Sequence, residues 1–212
     1  MKRLSSQPWF TQGGVRMSRE AQLAATRQKI LNAARDQFLV KGYADTSTRD
    51  IANAVGITQP ALYHHFSDKE LIFVEVIETV GGELAANMNA ILDADEGDGL
   101  NVLTDLSAAM VAIHPRDAFS LIHGSFQYLR PENQGKLGRL FATDYLQPLV
   151  RFFKSGKVKL RDGVDPMTAA NFYLTSLAPL FAKFHQLGGP ELTQREHIQV
   201  LLKLILFGVA SE

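Results

Sequence analysis

Apolar residues recur at helical spacing along most of the chain, and the breaks between stripes fall at glycine, proline and acidic clusters. From Arg19, Leu23, Ile30, Leu31, Ala34 and Phe38 mark one inner face, closed by Gly42 as a left-handed cap over which Tyr43 can fold. Two short helices follow. Ser47 can cap the first, with Asp50 three residues on in a weak capping box, and Ile51, Ala52 and Val55 form its apolar side. Gly56 permits the reversal, and Ile57 plugs the gap between the helices. Thr58 caps the second helix, where Pro60 sits early enough that its missing amide hydrogen leaves no bond unmade. Ala61, Leu62 and Phe66 supply the buried side, which leaves Gln59, Pro60, Tyr63 and His64 for an exposed face.

Ser67 or Asp68 can then cap a helix of more than twenty residues running through Leu71, Val76, Leu84 and Ile91, a natural mechanical link between a head and a body. The acidic segment Asp93 to Gly99 breaks it. Further helices are expected near 101–114, 117–130, 134–154, 166–187 and 192–210, punctuated by Pro115, Pro131, Gly156 and Gly188-Gly189. No strand alternation persists, so the chain reads as all-α with about nine helices. Residues 1–18 lack periodicity and are expected to form a mobile arm; a solvated tail is the favoured reading, and contact of Arg3, Arg16 and Arg19 with phosphates or a minor groove is the alternative. The organisation expected is this arm, a helical head over 19–67, and a larger helical body over 68–212.

Two short helices joined at a glycine, the second with a polar, aromatic-tipped face, have the layout of a helix-turn-helix, which makes double-stranded DNA the first partner to test. An ordinary helical hairpin in a core is the plain alternative, and charge weighs against it. Residues 1–64 hold nine Lys or Arg against four Asp or Glu, and residues 65–212 hold thirteen against eighteen. A formal net charge of zero therefore conceals halves of +5 and −5. Of the 212 residues, 46% are hydrophobic without a run long enough to span a membrane, and there is no cysteine. Disulfides, thiolate catalysis and Cys-ligated zinc are excluded, and a cytoplasmic protein is expected. The basic start has no continuous apolar core behind it and is not read as a secretory signal.

With these residues placed, RQKILNAARDQFLVKGYADTSTRDIANAVGITQPALYHHFSDKELI, residues 27–72, resembles the N-terminal signature of the TetR family of transcriptional regulators throughout. The resemblance implies a three-helix DNA-binding head, a divergent ligand-binding helical body, a homodimer, and repression relieved by a small molecule. On this chain it places Thr58 at the cap of the recognition helix and Gln59, Pro60 and Ala61 at its groove-facing start. It makes Tyr63, His64, Thr48 and Lys69 phosphate contacts. Pro60 lacks a polar tip, so Gln59 is the better reader of a base edge, while Pro60 or Ala61 could meet a thymine methyl.

A short recognition helix makes few base contacts, so two copies on a palindromic operator are expected. The last two helices offer stripes for pairing: Leu174, Leu177, Ala178 and Phe181 on one, Ile198, Leu201, Leu202 and Ile205 on the other. Closure of the monomer core is the competing use of these stripes. Between head and stripes lie Met88, Met110, His114, Phe119 and His123, then Phe126, Phe141, Tyr145, Phe172 and Tyr173, a composition suited to a mostly apolar small effector. His123 and Tyr145 are the expected polar contacts. No cofactor or metal is expected, since no two histidines sit four apart on one helix. An enzyme is disfavoured by the lack of a G-x-S-x-G elbow or phosphate loop. The reading is therefore a ligand-responsive repressor, with an activator of the same fold as nearest alternative and an enzyme or protein-interaction module as remote ones.

Overall fold

A computed structural model describes residues 18–94, 97–114, 117–181 and 191–208. Every regular element among them is helical: α1 (Arg19–Lys41), α2 (Thr48–Val55), α3 (Gln59–Tyr63), α4 (Lys69–Ala94), α5 (Gly99–Ile113), α6 (Ala118–Ser125), α7 (Pro131–Leu140), α8 (Gln147–Lys154), α9 (Pro166–Ser176), α10 (Ala178–Phe181) and α11 (Gln194–Phe207). A π-helical turn, Phe141–Leu146, joins α7 to α8 in one rod, and only Leu177 separates α9 from α10. Counted as continuous bodies among the described residues, these are the nine helices expected.

The head is α1 to α3 closed by the start of α4. Ile30, Ala34 and Phe38 of α1 meet Ile51, Leu62 and Phe66 in its core, all at most 1% exposed. Tyr43 folds back as expected and stacks on Phe38, with centroids 6.1 Å apart, while Phe73 of α4 meets both rings edge-on at 5.0 Å. Leu23 does not join this stripe. It is 50% exposed, because the first turns of α1 run beyond the body of the head. Gly42 has φ 87° but ψ 175°, so α1 ends in an extended glycine rather than the left-handed cap expected.

Helix α4, roughly 39 Å long at 1.5 Å per residue, packs against α1, α5, α7, the π turn and α8. Arg27–Glu75 at 2.6 Å and Arg35–Glu83 at 2.8 Å fasten it to α1. The two pairs advance by eight residues in the same sense on both helices, so α1 and α4 run parallel. Asp68, not Ser67, caps α4 by accepting from the Leu71 amide at 2.8 Å.

Three body helices depart from simple rods, each for a local reason. The helix expected over 134–154 starts at Pro131 and widens into the π turn just before Pro148, where the Gln147 amide reaches back five residues to the Ala142 carbonyl. Proline has no N–H to donate and its ring crowds the preceding turn, so the ladder must loosen there. Pro179 likewise interrupts the helix expected over 166–187 at Leu177, and residues 182–190 lie outside those described. The helix expected over 117–130 tightens into a 3-10 turn at Phe126–Tyr128.

Gly99 opens α5 beneath the loop after α8, where a Cβ would lie 2.6 Å from the Lys157 carbonyl oxygen, a backbone atom. Gly99→Ala should cost about 1–3 kcal/mol in urea unfolding. Gly82→Ala, on an open face of α4 with nothing within 4 Å of the new methyl, should instead stabilise by up to about 1 kcal/mol.

Candidate nucleic-acid interface and effector region

The two short helices are set by their caps. Ser47 accepts from the Asp50 amide at 3.1 Å and Thr58 from the Ala61 amide at 3.3 Å. Gly56 turns the chain between them in the left-handed region, φ 76° and ψ 31°, which a side chain would disfavour. The polar residues expected on this face converge. The Gln59 amide Nε2 donates to Thr48 Oγ1 at 2.9 Å, and the same oxygen lies 3.2 Å from the Tyr63 hydroxyl. Thr58, Pro60 and His64 are exposed, as is Tyr63, while Gln59 and Ala61 are half-buried and Thr48 is only 7% exposed.

Lys69 opens α4, with its ammonium 4.2 Å over the Tyr43 ring. Burial holds its pKa below the usual lysine value, opposed by the charge of Asp45. One residue on, the nearly buried Glu70 carboxylate accepts from the Arg130 backbone amide at 2.7 Å, Arg130 Nε at 3.0 Å and Asn133 Nδ2 at 2.7 Å. A carboxylate there also complements the N-terminus of α7. Arg130 reaches Asp68 as well, at 3.0 Å. This joint between the first turn of α4 and the body was invisible in the sequence, since its partners lie sixty residues apart.

The body residues singled out as effector contacts divide. Met88, Met110, Phe141 and Tyr173 are core, and Tyr173 is fully satisfied, sharing a 2.6 Å bond with Ser107 and donating to the Leu103 carbonyl at 3.2 Å. Phe172 faces outward, 58% exposed. The side chain of Phe119 lies outside those described. His114, Tyr145, Phe141, His123 and Phe126 form a ladder of ring contacts 5.2–5.5 Å apart. Within it Tyr145, on the π turn, holds His114 Nε2 at 2.9 Å, whereas His114 Nδ1 is buried without a partner. An unpaired buried polar atom is costly and marks a place where a ligand group could bind. The ladder continues toward the head, where Tyr128, at the end of the 3-10 turn that Phe126 opens, lies 6.0 Å from Tyr43.

The residues expected to pair two copies also divide. Leu174, Leu177, Ile198, Leu201 and Leu202 are at most 6% exposed and close the monomer core. Ala178, Phe181 and Ile205 retain exposure, and the large apolar groups that face outward on the same helices are Met167, Phe172, Leu204 and Phe207. Phe172 and Leu204 border a hollow of about 540 Å³. Among the described residues no group of three or more acidic or histidine side chains could hold a metal, and no helix is long and apolar enough to cross a membrane.

A capped pair of short helices on a three-helix head, with hydroxyl and amide groups clustered where the two helices begin, has the layout of a helix-turn-helix. Residues 30–76 match the model described as bacterial regulatory proteins of the tetR family. It is 36% identical over 104 residues, 49% of this chain and 50% of the other, to the HTH-type transcriptional repressor KstR2 of Mycolicibacterium smegmatis. The chain thus spans half the length of that curated relative, and less of the next two. Its fold resembles the TetR family regulator PfmR of Thermus thermophilus, with TM-score 0.62 and 26% identity over 86% of this chain and 99% of that one. It also resembles AibR, solved with isovaleryl coenzyme A and operator DNA, with TM-score 0.63 and 21% identity over 86% and 98%.

Burial drives the pKa of His114 down to about 4, helped by the charge of Arg35 and opposed by Asp117. Above about pH 6.5 the ring is neutral in folded and unfolded chains alike. Below that value the unfolded chain takes up a proton that the folded one refuses until about pH 4. Stability is therefore whole above pH 6.5 and falls through the window from 6.5 to 4, by on the order of 3 kcal/mol. Subtracting the urea-unfolding profile of His114→Gln from that of wild type should isolate this decline; parallel profiles would assign it to other groups.

Proposed function

We propose that the protein is a homodimeric repressor that binds a palindromic operator and is released by a small, mostly apolar effector. The observation that carries the reading is the Gln59–Thr48–Tyr63 cluster on the exposed side of a family-matched helix-turn-helix, with Lys69 at the start of the helix that runs into the body. Tyr63, His64 and Lys69 fix the head on phosphates, and Gln59 tests a base edge.

A second copy covers the apolar face formed by Phe172, Leu204 and Phe207, which sets two recognition helices one DNA turn apart. The effector enters the ring ladder beside the π turn, where His114 Nδ1 offers a polar anchor amid apolar walls. It must favour the state whose heads no longer match the operator, since equal affinity for both states would shift nothing. The Glu70 joint carries movement of α7 to the turn that holds Lys69. The isovaleryl coenzyme A of the AibR complex supports a short acyl chain with its thioester carbonyl as the first candidate for the apolar part of the effector that meets this anchor, its polar coenzyme part lying outside the ladder.

The test is selection of genomic fragments by the purified protein, then retardation of a selected fragment with and without isovaleryl coenzyme A. A palindromic fragment should be retained at moderate salt, and absence of any specific complex would sink the reading. Release by the thioester but not by coenzyme A supports the effector class; release by neither removes it. Lys69→Ala should weaken binding to all fragments and reduce its salt dependence by about one counterion. Phe172→Asp should convert a dimer into a monomer by light scattering and weaken operator binding with it; an unchanged mass would place the pairing surface elsewhere.

A further inference from the structure

The DNA-facing cluster is built around one hydroxyl. Thr48 is the first residue of α2 and Gln59 the first of α3, so the 2.9 Å bond from Gln59 Nε2 to Thr48 Oγ1 ties the start of one helix to the start of the other. The same oxygen meets the Tyr63 hydroxyl at 3.2 Å. A threonine hydroxyl carries one proton and two lone pairs. With one lone pair accepting from Gln59, it can give its proton to Tyr63 and leave the phenol proton directed outward. Thr48 itself is 7% exposed, whereas Tyr63 is 45% exposed. The threonine is thus poorly placed to meet a phosphate with the group the family resemblance assigns to it, and well placed to hold two residues that can.

We propose that Thr48 is a positioning residue for sequence recognition: it presets the Gln59 amide for a base and the Tyr63 hydroxyl for a phosphate without contacting DNA itself. The inference rests on the DNA-binding reading above. One amide hydrogen of Gln59 is committed to Thr48, and the remaining Oε1 and N–H form a paired acceptor and donor, the pattern that matches adenine N7 and N6 in the major groove. A free glutamine would lose several rotatable bonds on meeting a base, and a tethered one has already lost them. On a helix otherwise presenting Pro60 and Ala61, this single amide carries most of the discrimination available.

Wild type, Thr48→Val, Thr48→Ser, Gln59→Ala and the Thr48→Val/Gln59→Ala double variant should be measured against a selected fragment, its single-base variants, and a salt series. Thr48→Val keeps the shape and removes the hydroxyl. It should lose roughly tenfold in preference at the same base pair that Gln59→Ala relaxes, with an unchanged salt slope. The double variant should be no less selective than Gln59→Ala alone, and Thr48→Ser should retain the preference. If Thr48→Val weakens every fragment equally and lowers the salt slope by about one, Thr48 is a phosphate contact and the proposal fails. It fails as well if Thr48→Val matches wild type, or if Gln59→Ala keeps its base preference. Should Thr48→Val not fold, as judged by thermal unfolding, Thr48→Ala serves with the same readings. Failure of wild type to select any fragment would instead remove the DNA-binding reading, an outcome distinct from all of these.

Discussion

Helix α4 is a structural part of two cores at once. Near its start Phe73 completes the aromatic cluster of Phe38 and Tyr43, and one residue before its second ion pair with α1 it passes Gly82, beside Gly81 in contact range of Asp144 and Tyr145 on the π turn. A rod whose buried face runs from Glu70 to Met88 cannot tilt in one core without disturbing the other, because close-packed interiors switch between arrangements rather than deform smoothly. The paired contacts Arg27–Glu75 and Arg35–Glu83 add orientation more than energy, since exposed ion pairs contribute little. What they secure is that α1, and with it α2 and the α3 packed on α2, follows α4.

The head was legible because its signals are local. Caps at Ser47 and Thr58, the glycine between them and the apolar residues facing inward all lie within a few positions of one another, and the structure places them as their chemistry requires. The long helix and the order of the body helices were legible for the same reason. Leu23 misled because periodicity records which face of a helix is apolar, not how far along the helix a partner extends.

The body was less legible, and the reasons are specific. A stripe such as Leu174, Leu177, Leu201 and Leu202 has the same spacing whether it closes a monomer or pairs two copies, and here it closes the monomer. Pro148 widened and Pro179 interrupted a helix that periodicity alone would have continued as a regular rod. The aromatic and methionine residues chosen for an effector region are mostly ordinary core; what distinguishes His114 from Tyr173 is not residue type but an unpaired nitrogen, which only coordinates reveal. The Glu70–Arg130 joint depends on tertiary proximity alone.

Tyr43 gives the ring ladder a meaning beyond packing. One face region of this ring supports the Lys69 ammonium, and the ring also neighbours Tyr128 at the end of the turn that begins with Phe126. From His114 to Lys69 two sets of ring contacts, joined by the backbone of the 3-10 turn between Phe126 and Tyr128, therefore form a lateral route separate from the axial route along α4. A displacement of the 3-10 turn by a fraction of a ring width would change the seat of the Lys69 ammonium while leaving the long helix where it is. The environment of that one ammonium is thus tied to the body through the 3-10 turn as well as through its own helix.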